Sequence, residues 1–123
     1  MQYMLLAYAD VDQFLKMTPE EQKQTYGAYM SFVEALKKAG SFQASGRLQP
    51  TSTASTVRVS NGKTQVLNGP YMETKEQLGG YFLIDVPDQD AAIAWAARCP
   101  ASIHGTVEIR PLWIPQQGEY KPG

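Results

Sequence analysis

The sequence predicts an α+β protein of β-α-β-β-α-β plan with a hairpin inserted in its middle, the ferredoxin-like arrangement. Three observations carry this. Two segments of helix length are opened by capping residues and closed by breakers. Four apolar segments of strand length alternate with them. Asn61-Gly62 stands between two short alternating segments.

Residues 2–9 read as the first strand. Tyr3, Leu5 and Ala7 alternate with Met4, Leu6 and Tyr8, so both faces are apolar and both need cover. Thr18-Pro19-Glu20-Glu21 opens a helix: Thr18 caps free amides, Pro19 suits the first helical position and Glu21 completes a capping box. Tyr26, Tyr29, Met30, Val33 and Leu36 then recur at helical spacing. Lys37 and Lys38 suit the negative end of the helix dipole and Gly40 terminates it, which places the helix at about 19–39.

Residues 41–49 give a second strand with a break around Gly46. Thr56 to Ser60 and Lys63 to Leu67 flank Asn61-Gly62, a pair that tolerates the positive φ of a tight hairpin turn. Asn68-Gly69-Pro70 is a further turn, and Tyr71 to Gly80 an irregular or short helical connection. Residues 80–86 form the next strand, again apolar on both faces through Tyr81 and Leu83 against Phe82, Ile84 and Val86. Asp88 caps a second helix at about 89–99, with Ala92, Ile93, Ala96 and Ala97 on one side, and Pro100 stops it. The last strand, about 106–113, alternates Thr106, Glu108 and Arg110 with Val107, Ile109 and Pro111. One domain is expected over 1–114, followed by a flexible tail over 115–123.

Two helices cover only one face of a four-stranded sheet. The apolar second face therefore calls for a second copy, and two such sheets packed about a two-fold axis give a homodimer, a dimeric α/β barrel with a cleft between sheet and partner.

Charge and composition narrow the function. The chain has 123 residues, a net charge of −1 and 43% hydrophobic residues. A basic face for nucleic acid is not indicated. No apolar stretch approaches the ~20 residues that span a bilayer, and the apolar start lacks a basic leader. The single cysteine, Cys99, excludes an internal disulfide and a multi-cysteine metal site. A cytoplasmic protein without a bound metal or cofactor is the expectation.

Several residues stand out as candidates for chemistry. His104 is the natural general acid or base near neutrality, or else a loop histidine that bonds locally. Glu108 and Arg110 lie two apart on a strand and share a face, directed to the cleft if Val107 and Ile109 meet the helices. They suit an acid–base group beside an anion clamp, or a plain ion pair. The polar run Glu73-Thr74-Lys75-Glu76 precedes two glycines. It reads as a lid with Glu73 as base and Lys75 as anion clamp, or as a loop held by its own ion pairs. Arg47, after Gly46, is placed to reach the same cleft or to remain a solvated edge charge. Tyr8 and Tyr81 are core or interface aromatics, or the lining of a pocket for a planar ligand. Cys99, late in a helix, sits where the dipole disfavours a thiolate.

The run Asn68-Gly69-Pro70-Tyr71-Met72-Glu73-Thr74-Lys75-Glu76-Gln77-Leu78-Gly79-Gly80-Tyr81 resembles the Asp-Gly-Pro-Phe block that names the DGPF subgroup of the YCII-related family. Ile84-Asp85-Val86-Pro87-Asp88, Trp95-Ala96-Ala97-Arg98-Cys99-Pro100 and His104-Gly105-Thr106-Val107-Glu108-Ile109-Arg110-Pro111 continue the resemblance, which runs from Met1 to about Pro111. It implies the same ferredoxin-like dimer. Asn68 stands for the signature aspartate and Tyr71 for its phenylalanine. Asn68 preserves a turn but carries no charge. The wider family's His-Asp pair, with its histidine early in the chain, does not carry over to His104. The resemblance also implies a setting near extracytoplasmic-function sigma factors. Three functions stay open: a cofactor-independent enzyme acting on a small polar or anionic molecule in the dimer cleft, a non-catalytic module that binds a ligand or a transcription partner, or a structural dimerisation unit alone.

Overall fold

In a computed structural model of the chain, residues 1–114 are described. The elements run β1 (Gln2–Ala9), α1 (Val11–Lys16), α2 (Pro19–Lys38), β2 (Phe42–Arg47), a 3-10 turn (Thr51–Thr53), β3 (Ser55–Ser60), β4 (Lys63–Asn68), β5 (Gln77–Asp85), α3 (Gln89–Arg98), α4 (Ala101–His104) and β6 (Thr106–Pro111). Four strands form one antiparallel sheet in the order β2-β5-β1-β6, and β3 and β4 form a separate hairpin. This is an α+β fold of the expected element order. The tail expected from Pro115 onward lies outside the described residues.

The local signals act as physical chemistry requires. Thr18 Oγ1 accepts from the Glu21 amide at 3.1 Å while Glu21 Oε1 accepts from the Thr18 amide at 3.0 Å, a complete capping box. Asp88 Oδ1 accepts from the Ala91 amide at 2.9 Å and starts α3. Asn61 and Gly62 turn the hairpin with φ of 51° and 75°.

Several expectations shift. Asp10 caps an additional short helix, α1. β5 begins at Gln77 rather than Gly80, and α4 follows the stop at Pro100. In α2 the buried residues are Phe32 and Leu36, with Tyr29 and Val33 packed beside them, whereas Tyr26 and Met30 are exposed. In α3 the buried pair is Ala92 and Ala96, and Ile93 faces out.

Both long helices lie on one face of the sheet. Residues paired across strands share a face, so Tyr3, Leu5, Ala7, Phe82 and Ile84 form the floor on which α2 and α3 sit. The Phe32 ring meets Phe82 edge-on at 5.1 Å and Trp95 at 6.2 Å, tying both helices to that floor. The opposite face has no helix. Three rows cross it: Ala44, Leu83, Met4 and Arg110; then Gly46, Tyr81, Leu6 and Glu108; then Leu78, Tyr8 and Thr106.

Candidate functional site

The uncovered face carries a polar edge because β6 is an edge strand of the sheet. Its inward residues, Val107 and Ile109, pack on the core, so alternation sends Thr106, Glu108 and Arg110 to the uncovered side. β1 contributes Tyr8, one row along from Leu6. The β1–β5 register slips between Ala7, opposite Gly80, and Tyr8, opposite Leu78, so Gly79 is skipped at the end of the sheet. Bulges commonly re-aim a side chain in this way. The loop entering β5 brings Glu76 to the same end.

These residues border an open, shallow hollow of about 470 Å³ lined by Tyr8, Glu76, Thr106 and Glu108. The Tyr8 hydroxyl donates to Glu108 Oε1 at 3.2 Å. Arg110 Nε donates to Glu108 Oε2 at 3.2 Å. The Thr106 hydroxyl donates to Glu76 Oε1 at 2.8 Å. Glu108 is thus held at both oxygens, by a phenol on one side and a guanidinium on the other. Burial raises the pKa of Tyr8; its hydrogen bond to Glu108 and that carboxylate's charge add to the rise, and Arg110 works against it. Tyr8 therefore stays a neutral donor at physiological pH.

The other candidates fall around this cluster. Tyr81 shares the uncovered face, two strands from Glu108, and its ring lies over Gly46: a β-carbon at 46 would come within 2.7 Å of Tyr81 Cε1. Glu73 and Lys75 are exposed in the loop and do not line the cavity; the member of that run that does is Glu76. His104 is exposed at the end of α4, outside the lining. Arg47 belongs to the row with Gly80, Ala7 and Val107 on the helix-covered face, and its guanidinium lies 5.2 Å from the Phe14 ring centre. Strand alternation counted from Phe42 would have sent Arg47 to the uncovered face. The β2 register skips Gln43 and inverts the direction of everything after it. Thr106 was visible in the sequence only as a polar strand position; its pairing with Glu76 needed the tertiary fold.

Cys99 is buried, and burial pushes its thiol pKa up. Among the described residues no group of three histidine, cysteine or carboxylate side chains is placed to hold a metal ion. No helix among them is long and apolar enough to cross a membrane.

Comparison with known proteins places the chain. A family model described as YCII-related domain matches residues 1–114. An uncharacterized protein of Rhizobium meliloti (strain 1021) is 35% identical over 127 aligned positions, covering 100% of this chain and 97% of that protein. Among solved structures, 5-chloro-2-hydroxyhydroquinone dehydrochlorinase (TftG) from Burkholderia phenoliruptrix AC1100, in complex with 2,5-dihydroxybenzoquinone, superposes with a TM-score of 0.53 at 12% identity. That likeness covers 95% of this chain and 98% of the other, and it is a likeness of fold.

Proposed function

The chain belongs to the YCII-related domain family, and on that premise we propose that it is a small-molecule enzyme that moves a proton with Glu108 on the uncovered face of the sheet. The observation that carries this reading is the chain of contacts Tyr8–Glu108–Arg110 opening into the cavity. Structures of unassigned mechanism are read from such clusters: a carboxylate within reach of a donor, in a concave site. The likeness to a dehydrochlorinase supports an enzyme over a passive module. The run from Asn68 to Tyr81 supports the DGPF subgroup, and the strand order β2-β5-β1-β6 with both helices on one side supports the ferredoxin-like description.

The cavity is lined by two carboxylates and no cation, and Arg110 is engaged by Glu108. A neutral polar molecule with an acidic C–H or O–H suits it better than an anion. Glu108 takes that proton. Protonation removes the charge of Glu108 and so weakens its hold on Tyr8, whose hydroxyl then donates to the substrate oxygen on which charge develops. Return of the same proton at a second atom completes an isomerisation, and loss of a leaving group from the anion completes an elimination. A second copy of the chain covers the apolar part of the face, formed by Met4, Leu6, Tyr81 and Leu83, and closes the cleft against water.

The test is hydrogen–deuterium exchange in D2O, followed by NMR, for a panel of enolisable ketones that are neutral at the pH of the assay. Catalysed exchange is expected for at least one member. Glu108→Gln should lower it at least a hundredfold, in line with the usual ~10²–10⁴ contribution of a positioned base. Exchange that survives in Glu108→Gln, or none across the panel, overturns the proposal.

A further inference from the structure

We infer that the molecule turned over at this site is a ketone that carries a hydroxyl group, and that Glu76 accepts the hydroxyl proton and so selects it. The inference rests on the reading above that Glu108 moves a proton of a neutral substrate. It adds what that substrate must carry and which residue reads it.

Donors and acceptors in the hollow are unequal. An ionised carboxylate only accepts hydrogen bonds, and a hydroxyl has a single proton to give. Both hydroxyl protons of the lining are already placed: that of Tyr8 on Glu108 Oε1 at 3.2 Å and that of Thr106 on Glu76 Oε1 at 2.8 Å. The Nε proton of the neighbouring Arg110 is on Glu108 Oε2 at 3.2 Å. Glu108 is therefore satisfied at both oxygens, whereas among the described residues nothing donates to Glu76 Oε2. Thr106 Oγ1, its proton engaged, is an acceptor too. The side chains that line the hollow thus offer acceptors without a proton to spare. A ligand that displaces water from such a lining must bring its own donor or leave an acceptor unpaired.

Position decides where that donor lies. Glu76 is exposed but anchored. Besides the Thr106 bond, its carbonyl oxygen accepts from the Thr74 hydroxyl, and it directly precedes Gln77, which opens β5 and pairs with Ala9. Thr106 and Glu108 lie two apart on β6 and share a face, so the Glu76–Thr106 pair stands about 7 Å along the strand from the base. That is the span of a small ketone with a contact at each end: the enolisable carbon against Glu108, and a hydroxyl from the other side of the carbonyl against Glu76 Oε2. The carbonyl oxygen then falls beside Tyr8, which stands opposite Thr106 and reaches Glu108.

Acetone, methoxyacetone and hydroxyacetone test this, as neutral ketones that differ in one group. Deuterium uptake at the methyl group is followed by NMR and divided by each ketone's uncatalysed rate. The methoxy oxygen withdraws electrons but has no proton, so it separates hydrogen-bond donation from acidity. Hydroxyacetone should exceed both others by about tenfold or more, the scale of a hydrogen bond to a charged group. Glu76→Leu should bring the ratio of hydroxyacetone to methoxyacetone close to one and leave the circular dichroism unchanged. Both rates falling together at an unchanged ratio makes Glu76 structural and overturns the inference. Hydroxyacetone no faster than methoxyacetone in the parent, or none of the three exchanging while another ketone does, overturns the inference and leaves Glu108 as the base. A preference for protonated aminoacetone over hydroxyacetone replaces the hydroxyl by an ammonium and overturns it as well. Catalysed exchange of no ketone at all overturns both the inference and the reading it rests on.

Discussion

Replacing Gly105 by alanine probes how β6, and with it Glu108, is held against β1. Gly105 links α4 to β6 with φ of −155°, an extended value open to any residue, so the effect of a side chain here is steric alone. A β-carbon at this position would stand 2.0 Å from the carbonyl oxygen of Tyr8 and 3.1 Å from Cα of Ala9. Even weak C–H···O contacts settle near ~3.3 Å, so the two strands must part by about an ångström. Both obstacles are backbone, and no rotamer relieves them. Overpacking costs about 1–3 kcal/mol where side chains can yield. With none to yield, and with the Tyr8–Thr106 pair at the end of the ladder lost, about 3 kcal/mol is expected. For a chain of this size each kcal/mol moves the midpoint by roughly 3–5 °C, so thermal unfolding followed by circular dichroism should show a fall of about 10–15 °C. Gly79→Ala is the control, because its β-carbon would come no closer than 4.0 Å to Ala7 O. A Gly105→Ala protein that melts within about 2 °C of the parent, or a control that falls as far, refutes the reasoning.

Three further outcomes are expected. Gly27 lies within α2 with nothing within 4 Å of its added β-carbon, so Gly27→Ala should raise stability by about 0.5–1 kcal/mol in urea unfolding. Tyr29 has its pKa pushed up to about 12, chiefly by burial, with the Cys99 thiolate adding and Arg47 opposing. The folded state therefore holds the phenolic proton more tightly than the unfolded chain does, and stability is intact below about pH 10 and declines from there toward pH 12. Two units correspond to about 2.7 kcal/mol at most; allowing for the ring's partial exposure, about 1–2 kcal/mol should be lost across that window, and Tyr29→Phe should flatten the decline. His104→Gln should leave both catalysed exchange and melting temperature within error of the parent, since His104 is exposed outside the cavity lining; a large loss of exchange would put the histidine back into the chemistry.

What the sequence disclosed follows from how local each signal is. Thr18, Glu21, Asp88 and Asn61-Gly62 act on backbone within a few residues, and each does in the structure what its chemistry suggests. The apolar stripe of α2 was only partly legible. Tyr26 and Met30 are spaced as well as Phe32 for a helical face, and one helix alone does not say which neighbouring strip meets the sheet. Phe82 and Trp95, far along the chain, decide it in favour of Phe32. Glu108 and Arg110 were legible as residues sharing a face because β6 runs without a slip. Arg47 was not, because the skip at Gln43 reverses its direction, and the break expected around Gly46 falls instead at Gln43. His104 drew attention by chemistry alone, and chemistry without register gave no position. Glu76 was hidden inside a polar run in which four residues looked alike; its hydrogen bond with Thr106, 30 positions away, sets it apart.

The place of the cavity also follows from where the sheet ends. Pairing between β1 and β5 shifts by one residue after Ala7, skipping Gly79, and continues through Tyr8–Leu78 and Ala9–Gln77 to the start of β5, beside Glu76. Glu76 is gripped there by Thr106, while Tyr8 reaches Glu108 across 100 positions of sequence. None of these four side chains belongs to the buried core, which lies on the other face among Leu5, Leu36 and Ile84. The buried core and the proposed acid–base site therefore lie on opposite sides of one sheet. A substitution at Glu76, exposed and lining the proposed site, should then alter which molecule is accepted with little effect on folding. A change such as Gly105→Ala, which moves the shared backbone, must damage both at once. Equal loss of stability and of exchange on that one substitution, against loss of exchange alone in Glu108→Gln, is the pattern this division of labour requires.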